Sequence, residues 1–139
     1  MTMKRISLLI AISLVSVIFS SSCGLFDSRI EWRGGPYALM WIDIPDDVFV
    51  ARDEGNGSWS VRVEERVFAV GWNGRYLIAQ QHPKGDKKVT NYFIIDAQQD
   101  ERGADAKKAV MGPLTETEFM KRSARLHLPQ FTNVLASLK

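Results

Sequence analysis

The stretch that most restricts the fold is "VFAVGWNGRYLIAQQ", Val67 to Gln81, in which Asn73-Gly74 separates two runs rich in β-prone side chains. Two central residues at positive φ suit Asn-Gly and match the twist of paired strands. The spacing therefore predicts a tight hairpin joining Val67–Trp72 to Arg75–Gln81, with both Asn73 and Gly74 at φ > 0. A chain built on such a hairpin must bury at least one sheet face. With Cys23 as its single cysteine, no internal disulfide can help, and the core must suffice.

Other runs extend the sheet. "YALMWIDI" (Tyr37–Ile44) is apolar through most of its length, as expected of a strand covered on both faces. "PDD" ends it, and Val48–Arg52 reads as the next strand. After the Asn56-Gly57 turn signal, Trp59, Val61 and Val63 alternate with Ser60, Arg62 and Glu64. That period of two describes a buried apolar face and a wet polar one. "HPKGDKK" makes a longer turn, and "TNYFIID" (Thr90–Asp96) another strand. The polar run Ala97–Lys108 buries little apolar surface and is expected to form a mobile loop.

The C-terminal part reads as helical. Thr115 followed by Glu118 fits a capping box, in which each residue satisfies a free N–H of the first turn. Phe119, Met120, Ser123, Ala124 and Leu126 form an inward stripe on that helix. Phe131, Val134, Leu135 and Leu138 repeat at i, i+3, i+4, i+7, the spacing of a second helix beyond Leu128-Pro129. The expected class is α+β, an antiparallel meander of about six strands with two short C-terminal helices.

The first two dozen residues carry a different message. Lys4 and Arg5 precede an uncharged apolar run, Ile6–Phe19, then Ser20, Ser21 and Ser22, then Cys23 and Gly24. Basic start, apolar centre and small-residue end make an export signal. The run is shorter than the roughly 20 residues needed to span a bilayer as a helix. The expected organisation is a signal at 1–22, a lipidated tether at 23–31 and one globular β-rich domain at 32–139. Removing 1–22 takes Lys4 and Arg5 with it, so Lys plus Arg falls from 18 to 16 and equals Asp plus Glu at 16. A neutral mature chain argues against nucleic acid as a partner.

A cysteine set directly after the small residues resembles the lipobox of bacterial lipoproteins, with Ser20 departing from the usual Leu. The resemblance implies that Cys23 is acylated and becomes the first mature residue. It also implies a membrane-anchored envelope location, the outer membrane facing the periplasm if the cell is Gram-negative, since Gly24 rather than an aspartate follows. Together with the strands "YLIA" and "NYFIID" and the closing "GPLTETEF", the chain is similar to small uncharacterised bacterial lipoproteins across Val67 to Phe119. That resemblance supplies no catalytic residues.

Chemistry-bearing clusters are sparse. His82 and His127 lie in a turn and near a helix end, so neither a metal site nor a cofactor is expected. Ser58 and Ser60 lie in no strained nucleophile elbow. Asp43, Asp46 and Asp47 surround Pro45 and, with His82, could serve a small envelope hydrolase. Solvated turn formation is the simpler role for such carboxylates. Trp41 and Trp59 are expected in the core. Trp72, Asn73 and Tyr76, at a hairpin end, are the expected contact for a protein partner. The function expected from these features is non-catalytic binding of another macromolecule by an inhibitor, immunity-type or envelope-complex accessory protein. The alternatives are the hydrolase and a purely structural surface lipoprotein.

Overall fold

A computed structural model describes residues 27–139. The expected export signal, Cys23 and the first part of the expected tether lie outside the described residues. Nine strands form two antiparallel sheets, in keeping with the α+β class. The first sheet holds β1 (Ser28–Gly34), β2 (Tyr37–Ile42), β3 (Phe49–Gly55) and β4 (Ser58–Val63) in that spatial order. The second is ordered β8 (Val110–Leu114), β7 (Asn91–Asp96), β6 (Tyr76–Gln81), β5 (Val67–Trp72) and β9 (Asn133–Val134). The helices are α1 (Ala106–Ala109) and α2 (Glu116–Leu126).

Turn chemistry sets the hairpins, with one exchange of roles. Asn56 (φ 55°) and Gly57 (φ 74°) are the pair that both adopt positive φ, closing β3 on β4. At the β5–β6 turn only Gly74 (φ 94°) does so. There Asn73 keeps negative φ and its Oδ1 accepts from the Arg75 and Tyr76 amides at 3.1 and 2.8 Å. Glycine at the first of two central positions is the pattern of a II′ hairpin, which corrects the expectation of paired positive φ at 73 and 74.

The sheets pack face to face. Tyr37, Leu39, Trp41, Val48 and Val50 from the first meet Val67, Val70, Leu77, Phe93 and Ile95 from the second. The far face of the second sheet carries Tyr76, Ile78, Tyr92 and Ile94 beneath Phe119 and Leu128. Trp41 is buried as expected. Trp59 is only half-buried and sits on the outer face, with the Arg33 guanidinium 5.0 Å above its ring.

Four sequence expectations give way. Residues 28–34, partly assigned to the tether, pair along β2, and the backbone is already bonded at Asp27, whose carbonyl accepts from the Asp43 amide at 2.7 Å. The second helix does not form. His127 takes a left-handed conformation (φ 53°), and the chain then runs extended along β5, Thr132 N–H bonding Val70 and Leu135 N–H bonding Phe68 at 3.1 and 2.7 Å. An unpaired strand edge offers the same bonds a helix would, and Leu135 and Leu138 still reach the core. On α2 the capping box forms as read, but Met120 points outward, 60% exposed, leaving Phe119 as the buried anchor.

The fourth lies in β4. A register shift between Val50/Ala51 and their partners turns Arg62 inward and leaves Val61 exposed, breaking the expected alternation. Such an irregularity re-aims one side chain. The consequence is a buried polar knot that fastens the run after β7.

Candidate functional site

The knot is centred on Asp100, 1% exposed. Arg62 Nε donates to both carboxylate oxygens of Asp100 at 2.9 Å, Arg62 Nη2 lies 2.9 Å from Oδ1 as an ion pair, and the Tyr37 hydroxyl donates to Oδ2 at 2.8 Å. Arg52 Nε donates to the Asp100 main-chain oxygen at 2.9 Å. Arg62 also reaches Ser60 Oγ at 2.7 Å and Glu54 Oε1 at 3.2 Å, while the Gly103 amide donates to Glu54 Oε2 at 3.0 Å.

Burial, then the hydrogen bond to Asp100 and its charge, push the Tyr37 phenol well above its ordinary value. It is therefore a neutral donor at physiological pH. Burial disfavours the Arg62 charge, but the Asp100 hydrogen bond and charge outweigh that and raise its pKa. The Ser60 hydroxyl, then the Gly103 amide, hold the Glu54 carboxyl below its usual range. Every charge here is answered from within the domain, so the cluster is structural. The run Ala97–Lys108, expected to be mobile, is pinned through Asp100.

The expected contact at the β5–β6 turn takes a different form. Tyr76 is 7% exposed within the second core cluster. Trp72 is half-buried, packed edge-on against Tyr37 with centroids 5.6 Å apart, and its ring fills the space beside Gly35. Asn73 is exposed, but its Nδ2 donates to the His127 carbonyl at 3.2 Å. Of the three, only Asn73 presents itself to solvent. Ring size and a neighbouring turn do not determine which way a strand residue faces.

A real concavity lies at the opposite end, where the chain crosses from β4 to β5. Gln81 Nε2 ties the crossing down through the Glu64 and Glu65 carbonyls at 3.0 and 2.9 Å. Next along the chain, the His82 amide donates to the Arg66 carbonyl at 3.1 Å. The His82 ring stacks on Phe68 with centroids 4.2 Å apart and is 6% exposed. Its Nδ1 lies 2.9 Å from the Val89 carbonyl. A carbonyl can only accept, so Nδ1 carries a proton.

Arg66 lies over Gly85 (φ 75°), where a Cβ would come within 2.7 Å of the guanidinium, and its Nε donates to Asp47 Oδ1 at 3.0 Å. Together Asp46, Arg66, His82, Lys87 and Leu138 line a cavity of about 170 Å³. A neighbouring cleft of about 370 Å³ between Trp41, Pro45 and Leu135 shares Asp46, Ser137 and Leu138 with it. The pair forms a groove between the β1 edge and the C-terminal strap.

The structure thus brings Asp46 and His82 of the hydrolase alternative to one wall. It does not couple them: the His82 proton is held by a backbone carbonyl and Asp47 is engaged by Arg66. Asp43 sits outside the cavity at φ 65°. Among the described residues no group of three His, Cys, Asp or Glu side chains comes together as metal ligands would.

A family model described as "Protein of unknown function (DUF3997)" matches residues 34–134. The chain belongs to the DUF3997 family. The DUF3997 match runs from the last residue of β1 to β9 and so takes in the Asp100 knot, the β3–β4 and β5–β6 hairpins, and Asp46, Arg66, His82 and Lys87 of the cavity, but not Leu138. No curated protein and no solved structure matches the chain.

Proposed function

We propose that this DUF3997 protein is a lipid-anchored component of the bacterial envelope that acts by binding another macromolecule rather than by catalysis. The observation that carries the reading is the join between address and domain. Cys23 follows the basic start, apolar run and three serines, and the backbone is hydrogen-bonded from Asp27 onward, four residues later. A tether that short suits a domain held against its membrane.

The groove between the β1 edge and the C-terminal strap, with Trp41, Leu135 and Leu138 beside Asp46 and Lys87, offers apolar and charged groups for a partner. Crosslinking the detergent-solubilised lipoprotein in its own envelope fraction tests this reading. A stoichiometric partner lost on Ser137→Asp, an exposed position shared by both cavities, supports it, and absence of any crosslinked species counts against it.

The hydrolase reading is favoured by one observation, the shared wall of Asp46 and His82. Asp46→Asn with Asp43→Asn and Asp47→Asn, assayed for wall or glycan turnover, decides it. Unchanged turnover dismisses it.

A further inference from the structure

Among the described residues, the exposed large apolar side chains include Ile42 at 47% and Ile44 at 52%. Both lie at one end of the first sheet, where β2 leaves it. This is also the end at which the chain enters, because Ser28 pairs with Ile42 and the Asp27 carbonyl accepts from the Asp43 amide at 2.7 Å. Among the described residues, neither Ile42 nor Ile44 belongs to a core cluster. A solvated turn would favour polar residues at both.

The sequence says what can reach them. Cys23 lies four residues before Asp27. Even a fully extended chain covers only about 3.3–3.6 Å per residue, so Asp27 stays within about 14 Å of Cys23. Leu25 and Phe26 are themselves apolar and favour the lipid boundary. With Cys23 at the headgroup level, the tether keeps the end of the sheet carrying Ile42 and Ile44 close to the bilayer.

We infer that this end of the domain, through Ile42 and Ile44, rests on the bilayer that holds the protein's own lipid, fixing the domain's orientation instead of leaving it free on its tether. The inference depends on acylation of Cys23. Asp43 and Asp46 lie beside the two isoleucines and disfavour an anionic surface. The contact is therefore apolar and needs no acidic lipid. Two short aliphatic side chains would bind a membrane weakly alone, but the covalent lipid holds them at high effective concentration.

The test uses the full mature lipoprotein in phosphatidylcholine vesicles that include phosphatidylcholine with a nitroxide on its acyl chain. In Ile44→Cys the introduced thiol is the only free one if Cys23 is acylated, and it takes one environment-sensitive fluorophore. Gln99→Cys, exposed on the loop after β7 near the opposite end, is the control. Insertion at the interface predicts quenching at position 44 at least about twofold that at position 99, unaffected by salt. Quenching at 44 no greater than at 99, with one label per chain, would overturn the docking while leaving the lipid anchor intact. Two labels per chain would mean Cys23 is a free thiol, which removes the tether and overturns both.

Discussion

Replacing Asp100 with Asn tests whether the buried knot holds the loop after β7 onto the first sheet. The side chain keeps its shape and the Tyr37 hydroxyl can still donate to the remaining oxygen. What changes is the face toward Arg62, whose Nε and Nη2 now lie 2.9 Å from Oδ1 of a full carboxylate. An amide there offers one acceptor fewer and sets N–H groups against the guanidinium of Arg62, whose side chain is 1% exposed. Removing one partner of a buried ion pair costs about 3–5 kcal/mol. Glu54, 3.2 Å from Arg62 on its other side, remains as a partial counter-charge, so the lower end, about 3 kcal/mol, is expected. For a domain of this size that lowers Tm by about 10–15 °C. Urea denaturation followed by tryptophan fluorescence reads the loss directly. Adding Arg62→Met should restore at least about 1.5 kcal/mol, because the stranded charge goes with it. A single-variant cost under about 1 kcal/mol, or strict additivity in the double variant, would refute the reasoning.

Other outcomes follow from particular contacts. Gly71→Ala would place a Cβ 2.0 Å from the Gln130 carbonyl oxygen, so the strap beyond α2 must shift and strain its bond to Val70; a loss of about 2–4 kcal/mol is expected in the same denaturation assay. Gly57→Val, at φ 74° in open space, meets no neighbour and should cost only its backbone strain, about 1–2 kcal/mol by the same measurement. The depressed Glu54 carboxyl contributes stability that is complete above its unfolded pKa, near pH 4.3, and is lost as pH falls through its lower folded value. Glu54→Gln should therefore flatten stability against pH on the acid side, as measured by denaturant titrations at a series of pH values. An identical acid limb in both proteins would contradict this.

What could be read from the sequence was what depends on neighbours in the chain. Val67–Trp72 matches β5 residue for residue, and the strands near Tyr37, Trp59 and Asn91 begin within a residue or so of their expected places. The Thr115–Glu118 capping box is a four-residue motif and forms with both bonds present. Features that depend on distant partners were not legible. Arg62 and Asp100 lie 38 positions apart, and only the register shift in β4 brings them together. The spacing of Phe131, Val134, Leu135 and Leu138 imitates a helix, yet the free edge of β5 takes this segment as a strap. β1 and β8 carry too many polar, Gly or Pro residues to show a strand period and exist through their pairing with β2 and β7. The His82 cavity gathers residues from three loops and the C-terminal strap, of which the sequence pointed to Asp46 and His82 as a site but not to Arg66 or Lys87.

The central claim is that the domain is carried on a lipid at Cys23, and intact mass spectrometry of the mature protein from membranes tests it most directly. The account predicts a chain beginning at Cys23, heavier than its polypeptide by a thioether-linked diacylglycerol, and an unprocessed precursor for Cys23→Ser. An unmodified Cys23 thiol, or an N-terminus elsewhere on a protein free of the membrane, would contradict it.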